Sequence, residues 1–191
     1  AKCSVSPEAL LLGELSSVSE TERLYKGTVI ERTALMKVFD LHCDTLSELR
    51  YAERRGEDKS FAQNDLHIDL EKMQKGDYML QCFAAFVNLA DPTPGADPLV
   101  TALEEVDVFK RIMAKYSDKI APVYRPEDIR KNAAAGKISG MLTIEEGGCC
   151  KGSLGVLRRM YELGARMMTL TWNHENELAS PNVVPGGGGD I

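Results

Sequence analysis

The sequence predicts an α/β fold built on a parallel sheet, and three observations predict it. From Met36 onward, apolar runs of strand length alternate with segments of helical length. Two of those runs, Tyr78 to Val87 and Ile138 to Ile144, are apolar almost without interruption, as strands buried on both faces of a parallel sheet are. At 43% hydrophobic, 27% charged and 6% aromatic residues, the 191-residue chain has an ordinarily globular composition, which excludes disorder of the whole.

The elements follow in chain order. Residues 1–35 hold no clean period of 2 or 3.6, and they are expected to form a poorly defined N-terminal extension outside the core. The texture changes at Met36, read as the natural start, so the folded part is expected to be 36–191. Val38-Phe39-Asp40-Leu41-His42 alternates as a short strand ending near Asp44. Leu46 to Arg54 reads as a helix, and Asp65 to Gly76 as a short one that the glycine stops. Tyr78 to Val87 is the second strand, and the proline-rich stretch Asp91 to Pro98 is a loop. Leu99 to Tyr116 repeats apolar residues at helical intervals (Leu103, Val106, Phe109, Ile112, Met113), predicting a long helix with these on its inner side. A second short helix follows Pro126. Ile138 to Ile144 is the third strand, Leu154 to Leu163 a helix ended by Gly164, and Ala165 to Thr171 the fourth strand. From Ser180 the chain is a loop containing Gly186 to Gly189. About four βα units result.

Charge and cysteine content narrow the function classes. With 29 acidic against 23 basic side chains the net charge is −6, which argues against a nucleic-acid partner. The longest apolar runs fall short of the roughly 20 residues that cross a bilayer, so no membrane partner is expected. Ala1 to Glu20 lacks the basic, apolar and small-residue order of a secretory signal. Cys3, Cys43, Cys82, Cys149 and Cys150 are odd in number and contain no CxxC pair, so reduced thiols and a cytoplasmic location are expected.

Three clusters can carry chemistry. Residues i and i+2 of a strand share a face, so His42 and Asp44 would project together and offer a cation an imidazole nitrogen and a carboxylate oxygen, with Cys43 pointing away. Taken alone, such a triplet is more often a strand-end histidine held by its neighbouring carboxylate. Glu145-Glu146-Gly147-Gly148 follows the third strand, at the same C-terminal rim where parallel sheets bind ligands. Adjacent strand residues face opposite ways, so only one of the two glutamates can join His42 and Asp44. Trp172-Asn173-His174 ends the fourth strand, and Trp172 can line a pocket or cap a layer of core. His67, away from a strand end, reads as locally structural. Lys151, Arg158 and Arg159 read as solvated charges, and neither a phosphate-binding glycine loop nor a Ser-His-Asp order is present.

Taken together, these segments resemble the membrane dipeptidase (renal dipeptidase) family of zinc peptidases, especially its bacterial cytosolic members. Phe39-Asp40-Leu41-His42-Cys43-Asp44 is similar to the family's D-x-H-x-D strand. His67-Ile68-Asp69-Leu70 with Gly76 and Gln81-Cys82-Phe83 is similar to its H-x-D-L…G…Q-x-F segment, and Ile144 to Gly148 to its E-G-G element. Leu154 to Arg166, running into Thr169-Leu170-Thr171, resembles its L-G-x-L-R-x-x-Y-x-L-G-x-R-x-x-T-L-T stretch. The likeness runs from Met36 to about Asn182.

The resemblance implies a (β/α)₈ TIM barrel that hydrolyses dipeptides, C-terminal D-residues included, through a hydroxide bridging two zinc ions. By position, His42 and Asp44 bind the first ion and one glutamate bridges both as the catalytic acid. Matching the glycines picks Glu146, whereas counting back from Leu154-Gly155 picks Glu145, and Glu145 is preferred. Trp172 and Asn173 fall at a substrate-contacting position. This chain departs from many members by carrying cysteines after E-G-G and Trp172 after T-L-T. Only about the first four βα units are present, because 156 residues from Met36 fall short of the about 250 of a full barrel. The expectation is therefore the N-terminal half of such an enzyme, with one zinc ion or none, little turnover of its own, and open edge strands prone to association with a second copy. The alternative is a non-catalytic half-barrel that binds a metal or a partner.

Overall fold

The computed structural model describes residues 37–185. The extension expected at 1–35 and the Gly186–Gly189 tract lie outside the described residues. Strand β1 is Val38–Asp40, which stops short of His42. Asp40 Oδ1 accepts from the His42 backbone N–H at 3.1 Å, and this Asx-type turn takes the chain out of the sheet. Helix α1 (Thr45–Arg54) follows and buries Leu46, Leu49 and Ala52. Helix α2 is Leu70–Lys75, starting later than the sequence suggests. Its cap is Asp69, whose carboxylate accepts from Lys72 N at 2.7 Å, while 65–68 are held in turns by groups such as Asn64 Oδ1.

Strand β2 (Tyr78–Phe86) is buried along most of its length. Helix α3 (Pro98–Lys115) begins at Asp97, whose side chain accepts from Leu99 and Val100, with Pro98 in the first turn. Val106, Phe109, Ile112 and Met113 turn inward as their spacing predicts, but Leu103 is 41% exposed and Ala102 takes the inward place instead. A short strand that the sequence does not announce, β3 (Ile120–Pro122), precedes α4 (Pro126–Ala134). Strand β4 (Ile138–Glu145) leads through one 3₁₀ turn, Gly147–Cys150, to α5 (Leu154–Leu163) and β5 (Ala165–Thr169). Gly164 ends α5 at φ +117°, a left-handed position that favours glycine.

All pairings are parallel. Strands β1, β2, β4 and β5 lie side by side in chain order, and β3 shares an edge of β4 with β5. On that edge β3 pairs with Ile138–Gly140 and β5 with Leu142–Glu145, one beyond the other. This is the expected α/β architecture of a partial (β/α)₈ barrel, four barrel strands plus one short addition. The main core lies between the sheet and α1, α3 and α5, centred on Phe83, whose ring meets Phe61 edge-on at 5.8 Å and Phe109 at 5.9 Å. Gly140 leaves room for Met113, since a Cβ there would stand 2.8 Å from Met113 Cε. On the opposite face Leu80, Cys82 and Val123 pack with Ile129 and Met141, so α4 covers that side. No helix of the described residues is long and apolar enough to cross a membrane.

Candidate metal centre

The C-terminal ends of β1, β2 and β4 form one rim. Phe86, the last residue of β2, stands opposite Glu145, the last of β4, and the next amide, Val87 N–H, donates to Glu145 O at 3.1 Å. Asp44 lies just before α1 at its N-cap, without a capping bond from its side chain. Its carboxylate is therefore free to face His42. Between them Cys43 is buried, as its alternation predicts, and the Cys43 carbonyl accepts from Ala84 N–H at 3.0 Å. That bond fastens the loop to β2.

His42 Nε2 lies 3.3 Å from Asp44 Oδ1 and 3.2 Å from Glu145 Oε2. One ligating atom from each of His42, Asp44 and Glu145 falls within 4.8 Å of the others. His42 and Asp44 come together as expected, but through the Asp40-held turn and the start of α1, not through strand alternation. The rim is open on one side: the His42 and Asp44 side chains are half exposed, while Glu145 is mostly covered. Burial, with lesser repulsion from Asp44 and Glu146, raises the Glu145 carboxyl above its ordinary range against the attraction of His42. One imidazole nitrogen and two carboxylate oxygens are a donor set that suits zinc, and a cation among them would offset the crowding of acids.

Glu146 goes elsewhere. It is fully buried at φ +89°, a strained backbone for a side chain with a Cβ. Its Oε1 accepts from Gly148 N–H at 3.0 Å and from Asn176 Nδ2, and its Oε2 from Trp172 N–H at 2.8 Å. Glu146 thus pins the loop after β5 to the turn after β4. The loop presents Trp172 edge-on to the Phe86 ring at 5.0 Å, beside the rim, and Trp172 is 38% exposed. Asn173 next to it is exposed, and the His174 ring lies 6.3 Å from that of Trp172. His67 lies in the turns before α2 and is not among the three residues that converge at the rim. Sequence reasoning missed Asn176, which sits in a loop without any periodic signal. The 30-residue separation between Asn176 and Glu146 hides the pairing.

Residues 30–187 match the sequence profile of the membrane dipeptidase family, peptidase family M19. An uncharacterised dipeptidase of Schizosaccharomyces pombe is 34% identical over 126 residues, 60% of this chain and 29% of that protein. The chain thus spans under a third of that curated relative's length. Among solved structures, a metallopeptidase from Rhodobacter sphaeroides, liganded with a phosphinate mimic of the dipeptide L-Ala-D-Ala, superposes with a TM-score of 0.65 at 20% identity, covering 76% of this chain and 48% of that one. The metallopeptidase dipeptidase AC gives the same TM-score and identity, with 76% and 45% covered. At such identity the likeness is one of fold.

Proposed function

The chain belongs to the membrane dipeptidase family, and from that membership we propose that it carries part of the site of a zinc-dependent dipeptidase. The observation that supports the reading is the convergence of His42, Asp44 and Glu145 on one point of the rim. In this reading His42 and Asp44 would hold the first zinc ion, and Glu145 would be the ligand shared with a second. Bound zinc supplies Lewis acidity, which makes water a nucleophile near neutral pH and polarises a peptide carbonyl.

The chain's own groups do the rest. Glu145, mostly covered and 3.2 Å from His42 Nε2, would supply carboxylate charge to the bound cation. The exposed faces of Trp172 and Asn173 flank the rim and orient the dipeptide, and Phe86 backs Trp172. The phosphinate bound by the Rhodobacter relative favours dipeptides with a C-terminal D-residue among the substrates. Residues 36–191 form the dipeptidase-like part, and residues 1–35 are an extension to it. Turnover by these 191 residues alone is slight, because two zinc ions need more ligands than the three that the described residues bring together. A cytoplasmic setting suits the buried thiols of Cys43, Cys82, Cys149 and Cys150.

Metal content after dialysis, measured on the wild-type chain and on Asp44→Ala, tests the reading. About one zinc per chain, lost on substitution, is the expected result. Equal zinc in both, or none in the wild type, overturns it. Hydrolysis of L-Ala-D-Ala against L-Ala-L-Ala with added zinc then tests the substrate class.

A further inference from the structure

One buried charged cluster plays no part in the reading above. Glu105, midway along α3, is fully buried, and all its polar partners are donors. Ser47 Oγ donates to Oε2 at 3.0 Å, Phe86 N–H to the same oxygen at 2.7 Å, and Arg50 Nε to Oε1 at 3.1 Å. Arg50, its side chain only 4% exposed, reaches on to Glu104 at 3.0 Å. A lone aliphatic side chain would hold α3 against the sheet just as firmly, but it would impose no direction. A carboxylate gripped by three donors does.

Two of those donors lead to the candidate metal centre. Ser47 lies three residues beyond Asp44, in the first turn of α1, where Glu48 N–H bonds Asp44 O at 3.2 Å. Phe86 ends β2 opposite Glu145 and packs on Trp172. We propose that Glu105 is a positioning residue: through Ser47 and Phe86 it sets the separation between the segment bearing His42 and Asp44 and the strand end bearing Glu145. The proposal rests on the metal-binding reading of those three residues.

Glu105→Gln in the full chain at pH 8 tests it, with zinc alone as the probe. Glutamine keeps the volume but offers one acceptor oxygen, so its amide must face a donor on one side or the other. Zinc affinity is expected to fall about tenfold, as when a partner behind a metal ligand is lost. Amide hydrogen exchange at Glu48, Phe86 and Val87 is expected to quicken about as much, while Ile138, bonded to Lys119 O at the base of the sheet, keeps its rate. Glu104→Gln, which alters the outer partner shared by Arg50 and Arg54 and leaves every donor to Glu105 in place, keeps wild-type zinc affinity.

Unchanged affinity in Glu105→Gln, or equal acceleration of rim and base amides, overturns the positioning role. A wild-type chain that takes up no zinc overturns the metal reading and this proposal with it, and it is told apart because the failure then lies in the wild type. If Glu105→Gln does not fold, Ser47→Ala serves in its place. It leaves Arg50 and Phe86 on the carboxylate, and about a threefold loss of affinity with faster exchange at Glu48 is expected, whereas no change in either overturns the proposal.

Discussion

Glu145 and Glu146 are neighbours in the chain, yet their carboxylates part company. Glu145 Oε2 stands 3.2 Å from His42 Nε2, while both oxygens of Glu146 are taken up by Gly148, Trp172 and Asn176. The division predicts opposite phenotypes. Glu145→Gln should lower zinc affinity tenfold or more, on the order of the loss of a metal ligand, with little change in thermal stability. Glu146→Gln cannot accept on both sides, and it should cost about 2–4 kcal/mol of stability. Calorimetric zinc titration and thermal unfolding of the two variants check the pair.

Asp44 makes no capping bond in α1, so its removal separates ligation from folding. Asp44→Ala should unfold within about 0.5 kcal/mol of the wild type while losing its zinc after dialysis. Urea unfolding and elemental analysis of the same sample are the two measurements.

Gly164 sits at φ +117°, and a Cβ there would meet the Tyr124 ring at 3.0 Å. Gly164→Ala should therefore destabilise by about 1–2 kcal/mol, from left-handed strain plus the displaced ring. A lowered denaturant midpoint with an unchanged slope is the expected outcome.

Asp69 carries the acid dependence of α2. Burial works to raise its carboxyl, but the N–H groups of Lys72 and Asn64 and the Lys72 ammonium prevail and hold it below the ordinary carboxylate range. A folded value below the unfolded one means that its contribution is fully present above about pH 4 and is lost as the pH falls through the folded value. Asp69→Asn keeps a capping oxygen without the charge. Its unfolding free energy should fall less steeply below about pH 4 than that of the wild type, measured by urea titration across the acid range.

The described thiols should be inert in the folded chain. Burial pushes Cys43 up to about 12 and Cys82 up to about 11, and raises Cys149 and Cys150 as well. Thiolates are the reactive form, so Cys43, Cys82, Cys149 and Cys150 should resist a thiol reagent at pH 8 until the chain is unfolded. Peptide mapping after timed labelling reads each site separately.

Much of the fold can be read from residues alone, because buried parallel strands and glycine-stopped helices leave local marks. Tyr78–Phe86 and Ile138–Glu145 are apolar runs of strand length, and Gly164 ends α5 where the sequence places the stop. The strand Ile120–Pro122 escapes notice, since three residues ending in proline have no period. Leu103 fits an apolar spacing yet faces outward, because the inward stripe passes through the smaller Ala102. The gathering of His42 and Asp44 is legible while its cause is not: alternation suggests it, but the turn held by Asp40 brings it about. Spacing prefers Glu145 to Glu146, but two of the partners that take up Glu146, Trp172 and Asn176, lie 26 and 30 residues away and leave no local mark. Glu105 is hidden in the same way, its partners Ser47 and Arg50 lying 58 and 55 residues earlier.

The shared edge of β4 separates two jobs along one strand. Its last four residues, Leu142 to Glu145, are clamped by β2 on one side and β5 on the other, whereas its first three rely on the short β3 for their outer edge. The end that bears Glu145 is thereby insulated from whatever happens at the foot of the sheet. The turns at 116–119 and 135–137, at the foot of the sheet, can change length or composition, and the rim would keep its shape.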